Sequence, residues 1–138
     1  MKDVMLKIKG TQAPVGGDVD SIELITEGKI YQKEDCKYLM YDETQLSGME
    51  GCKTVLKIYE DTVEMEREGN AMSKLIFQMG KRHVSKYTTP YGDFRMEILT
   101  KKLDVDIDIE KKGKISLEYL ISLQGLTEGK NKLDIEIM

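Results

Sequence analysis

The chain is poor in the residues that usually announce catalysis or metal binding. Of 138 residues, one is histidine (His83), two are cysteine (Cys36 and Cys52) and two are proline. No serine or cysteine stands in a nucleophile motif, and no glycine-rich loop opens a helix as phosphate binding requires. Gly16-Gly17 after Pro14 reads as a turn. The cysteine spacing matches no zinc pattern and is read as two free thiols. The chain also lacks long apolar runs, so no helix spans a membrane, and its start, MKDVMLKIKG, does not resemble a signal peptide. The expected place is the cytoplasm. Positive charge is short as well: 21 Lys plus Arg stand against 25 Asp plus Glu, a net charge of −4. Nucleic acid normally demands a basic field, so it is not an expected partner. The basic clusters, Lys81-Arg82-His83 and Lys111-Lys112 with Lys114, sit at turns. No cofactor or metal is implied.

What remains is a single domain, 1–138, long enough to bury a core without staples. Twelve glycines, few prolines and repeated apolar–polar alternation predict strands throughout. Their expected spans are 3–11, 19–27, 29–34, 37–43, 53–59, 62–67, 71–79, 82–88, 94–101, 103–110, 114–124 and 131–138. Connections of two to five residues force antiparallel neighbours. An unbroken meander of one-faced strands favours an all-β, antiparallel, up-and-down β-barrel of about eight to ten main strands, since closure removes exposed edges.

Hairpin registers can be read from the alternation, because a one-residue slip exchanges the two faces of a strand. A turn at Glu60-Asp61 pairs Ile58 with Val63, Leu56 with Met65 and Thr54 with Arg67. A loop at Glu68-Gly69-Asn70 carries that face onto Ala71, Ser73, Leu75 and Phe77, with Glu64 and Lys74 paired outside. A Gly80-Lys81 turn then matches Phe77 with Val84 and Leu75 with Lys86. It turns His83 outward, opposite Gln78, as an exposed imidazole. Across Thr89 to Asp93, Val84 and Lys86 oppose Ile98 and Met96. The inward row changes parity near Lys101-Lys102, where a β-bulge is expected. The last hairpin, closed at Lys111-Lys112-Gly113, sets Ile109 against Ile115, Ile107 against Leu117, Val105 against Tyr119 and Leu103 against Ile121. Before them, turns at Glu34-Asp35 and at Asp35-Cys36 imply opposite faces for Leu39, Tyr41 and Glu43.

LDVDIDIE, residues 103–110, looks at first like a carboxylate site. Asp104, Asp106 and Asp108 fall on the face away from the aliphatic row. A calcium loop starting at Asp104 would need Gly and Glu where Ile109 and Ile115 stand. Side chains two apart on a strand are about 7 Å from one another, too far to share one ion closely. They are read as a solvated face that keeps the strand soluble.

Two cations stand out on the inward row. Arg67 and Lys86 share a face with Val63, Met65, Leu75, Phe77, Val84, Met96 and Ile98, and a buried charge needs compensation. Arg67 can reach the rim and snorkel into water, and Lys86 can pair internally with Glu43. Alternatively both face a lumen holding a small, partly apolar anion, with Tyr41 and Tyr119 as flat walls carrying a hydroxyl tip. The competing reading is a structural or interaction module with a filled interior. Its outer Val55, Ile76 and Tyr87 would then form a patch for a partner such as a second copy.

The segments TEGKIYQKEDCKYLMYDE, CKTVLKI with its hairpin, KYTTPYGDF and EKKGKISLEY resemble the YwiB-like family of small uncharacterised bacterial β-barrel proteins, over nearly the whole length. That resemblance implies a calycin-like barrel, the architecture of lipocalins, and no activity. Hydrophobic-ligand binding follows from it only as fold-level analogy.

Overall fold

A computed structural model describes residues 2–14, 20–42, 52–69, 72–107, 113–123 and 128–138. Period-two alternation becomes strands β1 (Lys2–Pro14), β2 (Asp20–Lys33), β3 (Cys36–Asp42), β4 (Lys53–Ile58) and β5 (Val63–Glu68). They are followed by β6 (Met72–Phe77), β7 (Arg82–Thr89), β8 (Gly92–Asp106), β9 (Gly113–Leu123) and β10 (Glu128–Ile137). Each pairs antiparallel with its chain neighbours, and β1 pairs with β10, so the meander closes into a ten-stranded barrel. Twelve expected strands are ten because two breaks do not exist. β2 runs through Gly28, where the wall is tight: a Cβ there would lie 2.7 Å from Leu6 Cδ1 and 2.8 Å from the Met40 carbonyl oxygen. β8 runs through the expected bulge, which falls between Thr100 and Lys102.

The interior is filled by one face of every strand, with Leu6, Leu39, Leu56, Met65, Phe77, Leu117 and Ile135 all but inaccessible. Each such side chain contributes roughly 1.5–3 kcal/mol of burial. The β4/β5 register is the expected one, from Ile58 opposite Val63 to Thr54 opposite Arg67. Between β2 and β3 the turn is Glu34-Asp35, with Lys33 opposite Cys36, and this sends Leu39 and Tyr41 inward. Cys36 and Cys52 are both buried and carry no disulfide.

Two hairpins keep the expected faces but not the expected partners. Met65 opposes Leu75 rather than Ser73, and Ile115 opposes Val105 rather than Ile109. The slips are of two and four residues, and an even slip preserves the side. Asp104 and Asp106 are accordingly exposed, and Asp104 lies 3.6 Å from Lys102; Asp108 and most of the Lys111-Lys112-Gly113 loop lie outside the described residues.

β7 is turned over relative to expectation. The turn after β6 closes with the Lys81 amide donating to the Gln78 carbonyl at 2.9 Å. Gly80 therefore occupies the third position of that turn with φ +72, as a type II turn requires. The next connection is tighter than expected, with Thr89 opposite Gly92 around Pro90-Tyr91. It sets Tyr87 against Phe94, Ser85 against Met96 and His83 against Ile98. That odd shift points Tyr87, Ser85 and His83 inward, and Lys86 and Val84 outward. Lys86 is 69% exposed and forms an ion pair with Asp93 at 3.6 Å, so its placement among the core aliphatics is corrected. Glu43, the expected internal partner in one reading of Lys86, lies outside the described residues. Val84 is 55% exposed, and Tyr87 packs against the core instead of joining an outer patch. His83 is half-buried, with Nε2 3.3 Å from Gln78 Oε1.

Candidate functional site

The polar side chains of the interior collect towards one end. Adjacent-strand pairing places Tyr41 beside Thr54, Thr54 beside Arg67, Arg67 beside Ser73 and Ser73 beside Tyr87. One transverse row of the inner wall, crossing β3 to β7, thus carries a guanidinium flanked by hydroxyls. Below it lie Met65, Leu75 and Phe77. From the opposite wall Tyr119 leans over the core, its ring 4.8 Å from that of Phe77 and inclined at 59°.

Between the two walls is a cavity of about 330 Å³. Arg67, Ser73, Tyr87, Tyr119 and Asn131 give it polar atoms, and Leu75, Met96 and Ile121 give it apolar walls. Asn131 is itself buried and donates from Nδ2 to the Gly129 carbonyl at 3.3 Å. Burial pushes the Tyr119 hydroxyl above its ordinary pKa, while the positive charge of Arg67 pulls it back. The phenol therefore stays protonated at neutral pH and can donate a hydrogen bond. A planar fork of N–H donors beside a phenol and a hydroxyl matches a carboxylate or phosphate oxygen pair. Leu75, Met96 and Ile121 suit an apolar body attached to it.

Of the four residues singled out from sequence, Arg67 and Tyr119 come together here. Tyr41 is buried in the same row, two strands from Arg67, but it lines a different concavity of about 890 Å³ with Asp3, Glu27, Lys29 and Lys53. That larger hollow carries charges of both signs. Lys86 is on the outside. Sequence reasoning missed Tyr87 and Asn131. The signal for Tyr87 was TPYG, with proline second and glycine fourth, which marks a two-residue turn and fixes the faces of both flanking strands. Asn131 opposes Tyr119 and Gln12 in the ladders on either side of it, a register that no tight-turn signal gives.

The fold and cavity define a closed, ten-stranded antiparallel β-barrel with a packed core and a cavity at one end of it. The chain belongs to the family described as a domain of unknown function, DUF1934, which matches residues 6–135. It is 33% identical over 103 residues to the uncharacterised β-barrel protein YwiB of Bacillus subtilis strain 168, spanning 75% of this chain and 70% of YwiB. The crystal structure of the ywiB protein from Bacillus subtilis superposes with a TM-score of 0.83 at 26% identity, covering 99% of this chain and 92% of that one. The resemblance read from the strand and turn segments is thereby borne out, as is the barrel. Among the described residues no helix is long and apolar enough to cross a membrane.

Proposed function

We propose that this protein binds a small, partly apolar anion at the polar end of its interior, with Arg67 as the anion's partner. The observation carrying this reading is an arginine on the inner face, bordering a cavity that apolar and hydroxyl-bearing side chains share with it. Here the cavity leaves room for about one small molecule, at the lower end of the size range of ligand sites. Tyr119 and Tyr87 supply flat walls, and Ser73 and Asn131 supply the hydrogen bonds that fix orientation.

The test is native mass spectrometry of purified protein, followed by titration with aromatic and short aliphatic carboxylates. A retained or added mass that is lost in Arg67→Met supports the reading. A clean apo mass and no binding across the carboxylate panel overturns it.

A second reading, an interaction module acting through its outer surface, rests on a different observation. Val55 and Ile76 do face outward, opposite Glu66 and Glu64, and Tyr31 and Tyr38 stack at 4.7 Å, both half-buried outside the barrel. It requires a dimer or partner in solution that Val55→Lys or Ile76→Lys abolishes, measured by light scattering. A monomer indifferent to both changes removes it.

A further inference from the structure

Among the described residues the β6/β7 ladder is the shortest in the barrel, with two pairs only: Met72 with Thr88 and Ser73 with Tyr87. Every other adjacent pair of strands carries at least five, so the wall has one weak seam. Its cause is legible in the chain. The turn at Gln78–Lys81, if continued as a two-residue hairpin, would put Val84 and Lys86 on the face of Leu75. The Pro90-Tyr91 turn instead puts Ser85 and Tyr87 there. The two demands differ by one residue, and β6 and β7 cannot satisfy both.

Charge adds to the conflict. Continuing the register of Ser73 with Tyr87 would set Lys74 against Lys86, and like charges directly opposite on a sheet repel. Each lysine turns away instead: Lys74 lies 3.8 Å from Glu66 and 4.0 Å from Glu64 of β5, and Lys86 lies 3.6 Å from Asp93 of β8. The seam is nevertheless bounded. At its far end Thr100 of β8 is inserted: its carbonyl accepts from the Gly80 amide, its amide donates to the Lys81 carbonyl, and its Oγ1 accepts from the Gln78 amide. His83 and Gln78 add a side-chain bridge there. Between these two closures lie Lys74–Phe77 and Arg82–Lys86. The inner lip includes Leu75, which lines the cavity, and Ser85, whose buried Oγ has no hydrogen-bond partner.

We infer that this seam is a lateral gate through which the cavity's ligand passes, an inference that rests on the binding function proposed above. Opening it breaks side-chain contacts but no continuous ladder, so it is the least expensive place for the wall to part. Lys74 and Lys86 flank its outer lip, each turned away from the seam towards a carboxylate of the neighbouring strand.

Two measurements test the gate separately from the binding site. In amide hydrogen exchange on the unmodified protein, the amides of residues 74–77 and 83–86 that face the seam, rather than β5 or β8, should lose protection well before those of β4 and β5, since local opening follows missing backbone bonds. Protection equal to that of β4 overturns the gate whether or not any ligand binds. In stopped-flow with 8-anilinonaphthalene-1-sulfonate, a partly apolar anion, oxidation of an Ile76→Cys/Val84→Cys pair across the outer lip should slow association and dissociation together, by about tenfold, and leave Kd nearly unchanged. Unchanged rates, with the cross-link confirmed by mass, refute the gate. Absence of probe binding, or binding indifferent to Arg67→Met, refutes the cavity reading instead.

Discussion

Replacing Lys86 and Tyr87 one at a time asks which face of β7 looks into the barrel, and the two answers differ by several kcal/mol. With Lys86 outside and 69% exposed, its pairing with Asp93 is a surface ion pair. Such pairs contribute about 0–1 kcal/mol, so Lys86→Met should change stability by no more than that. Tyr87 is half-buried against the core. Full burial makes an aromatic-to-alanine change worth about 3–5 kcal/mol, and a half-buried ring should lose about 2. For a chain of this size that is a fall in Tm on the order of 8 °C. Urea unfolding followed by circular dichroism reads both variants, with the slope unchanged and the midpoint lowered only for Tyr87→Ala. An inward Lys86 would reverse the order, because Met there would remove an uncompensated buried charge and stabilise the fold by several kcal/mol. A stabilised Lys86→Met beside a silent Tyr87→Ala would falsify the strand orientation on which the cavity depends.

Gly28→Ala should destabilise by about 1–3 kcal/mol in the same assay, since the new methyl meets the Met40 carbonyl oxygen, which the sheet holds in place; an unaffected midpoint would show that β2 can shift away. Tyr119 has a raised pKa through burial, so it stays protonated in the fold when the unfolded chain already ionises. The sign follows: its contribution is complete below the unfolded value near 10 and is lost as pH climbs through the higher folded value, so stability should fall at alkaline pH. Removing the opposing charge with Arg67→Met should move Tyr119 ionisation, followed by phenolate absorbance, still higher. A downward move would mean that Arg67 does not act on that hydroxyl.

What sequence could show depended on whether a turn was tight and whether an error was odd or even. Glu60-Asp61 is a two-residue turn, and the register from Ile58 to Arg67 followed from it. The connections around residues 68–72 and 107–112 are longer, so partners moved by two and four residues, yet the faces survived and Arg67 stayed inside. At β7 the connection was tighter than the five residues expected, and an odd error exchanged Lys86 with Tyr87. Alternation offered no warning there, because KRHVSKYTT has an apolar residue on either side: Val84 on one, Tyr87 on the other. Hydrophobic pattern alone cannot orient such a strand, and the turn residues Pro90 and Gly92 decide it.

The different fates of the two cations follow from where each lies in the wall. Arg67 ends a short strand whose next inward position would already be in the loop, so its stem can lie along Leu75 and Met65 while the guanidinium stands in the cavity at the polar end. Arginine tolerates that position because its charge is spread over a planar group that is weakly hydrated and rich in donors. Lys86 is mid-strand, level with Arg95 of β8, and its compact, strongly hydrated ammonium would lose far more water if turned inward. The chain keeps Arg67 on the inner wall beside the cavity and leaves Lys86 outside, beside Asp93. A barrel with no use for an interior cation could place leucine at 67 and extend its apolar core to the rim. The row instead reads Thr54, Arg67, Ser73 and Tyr87, the donors that the proposed binding of a carboxylate-sized anion would use.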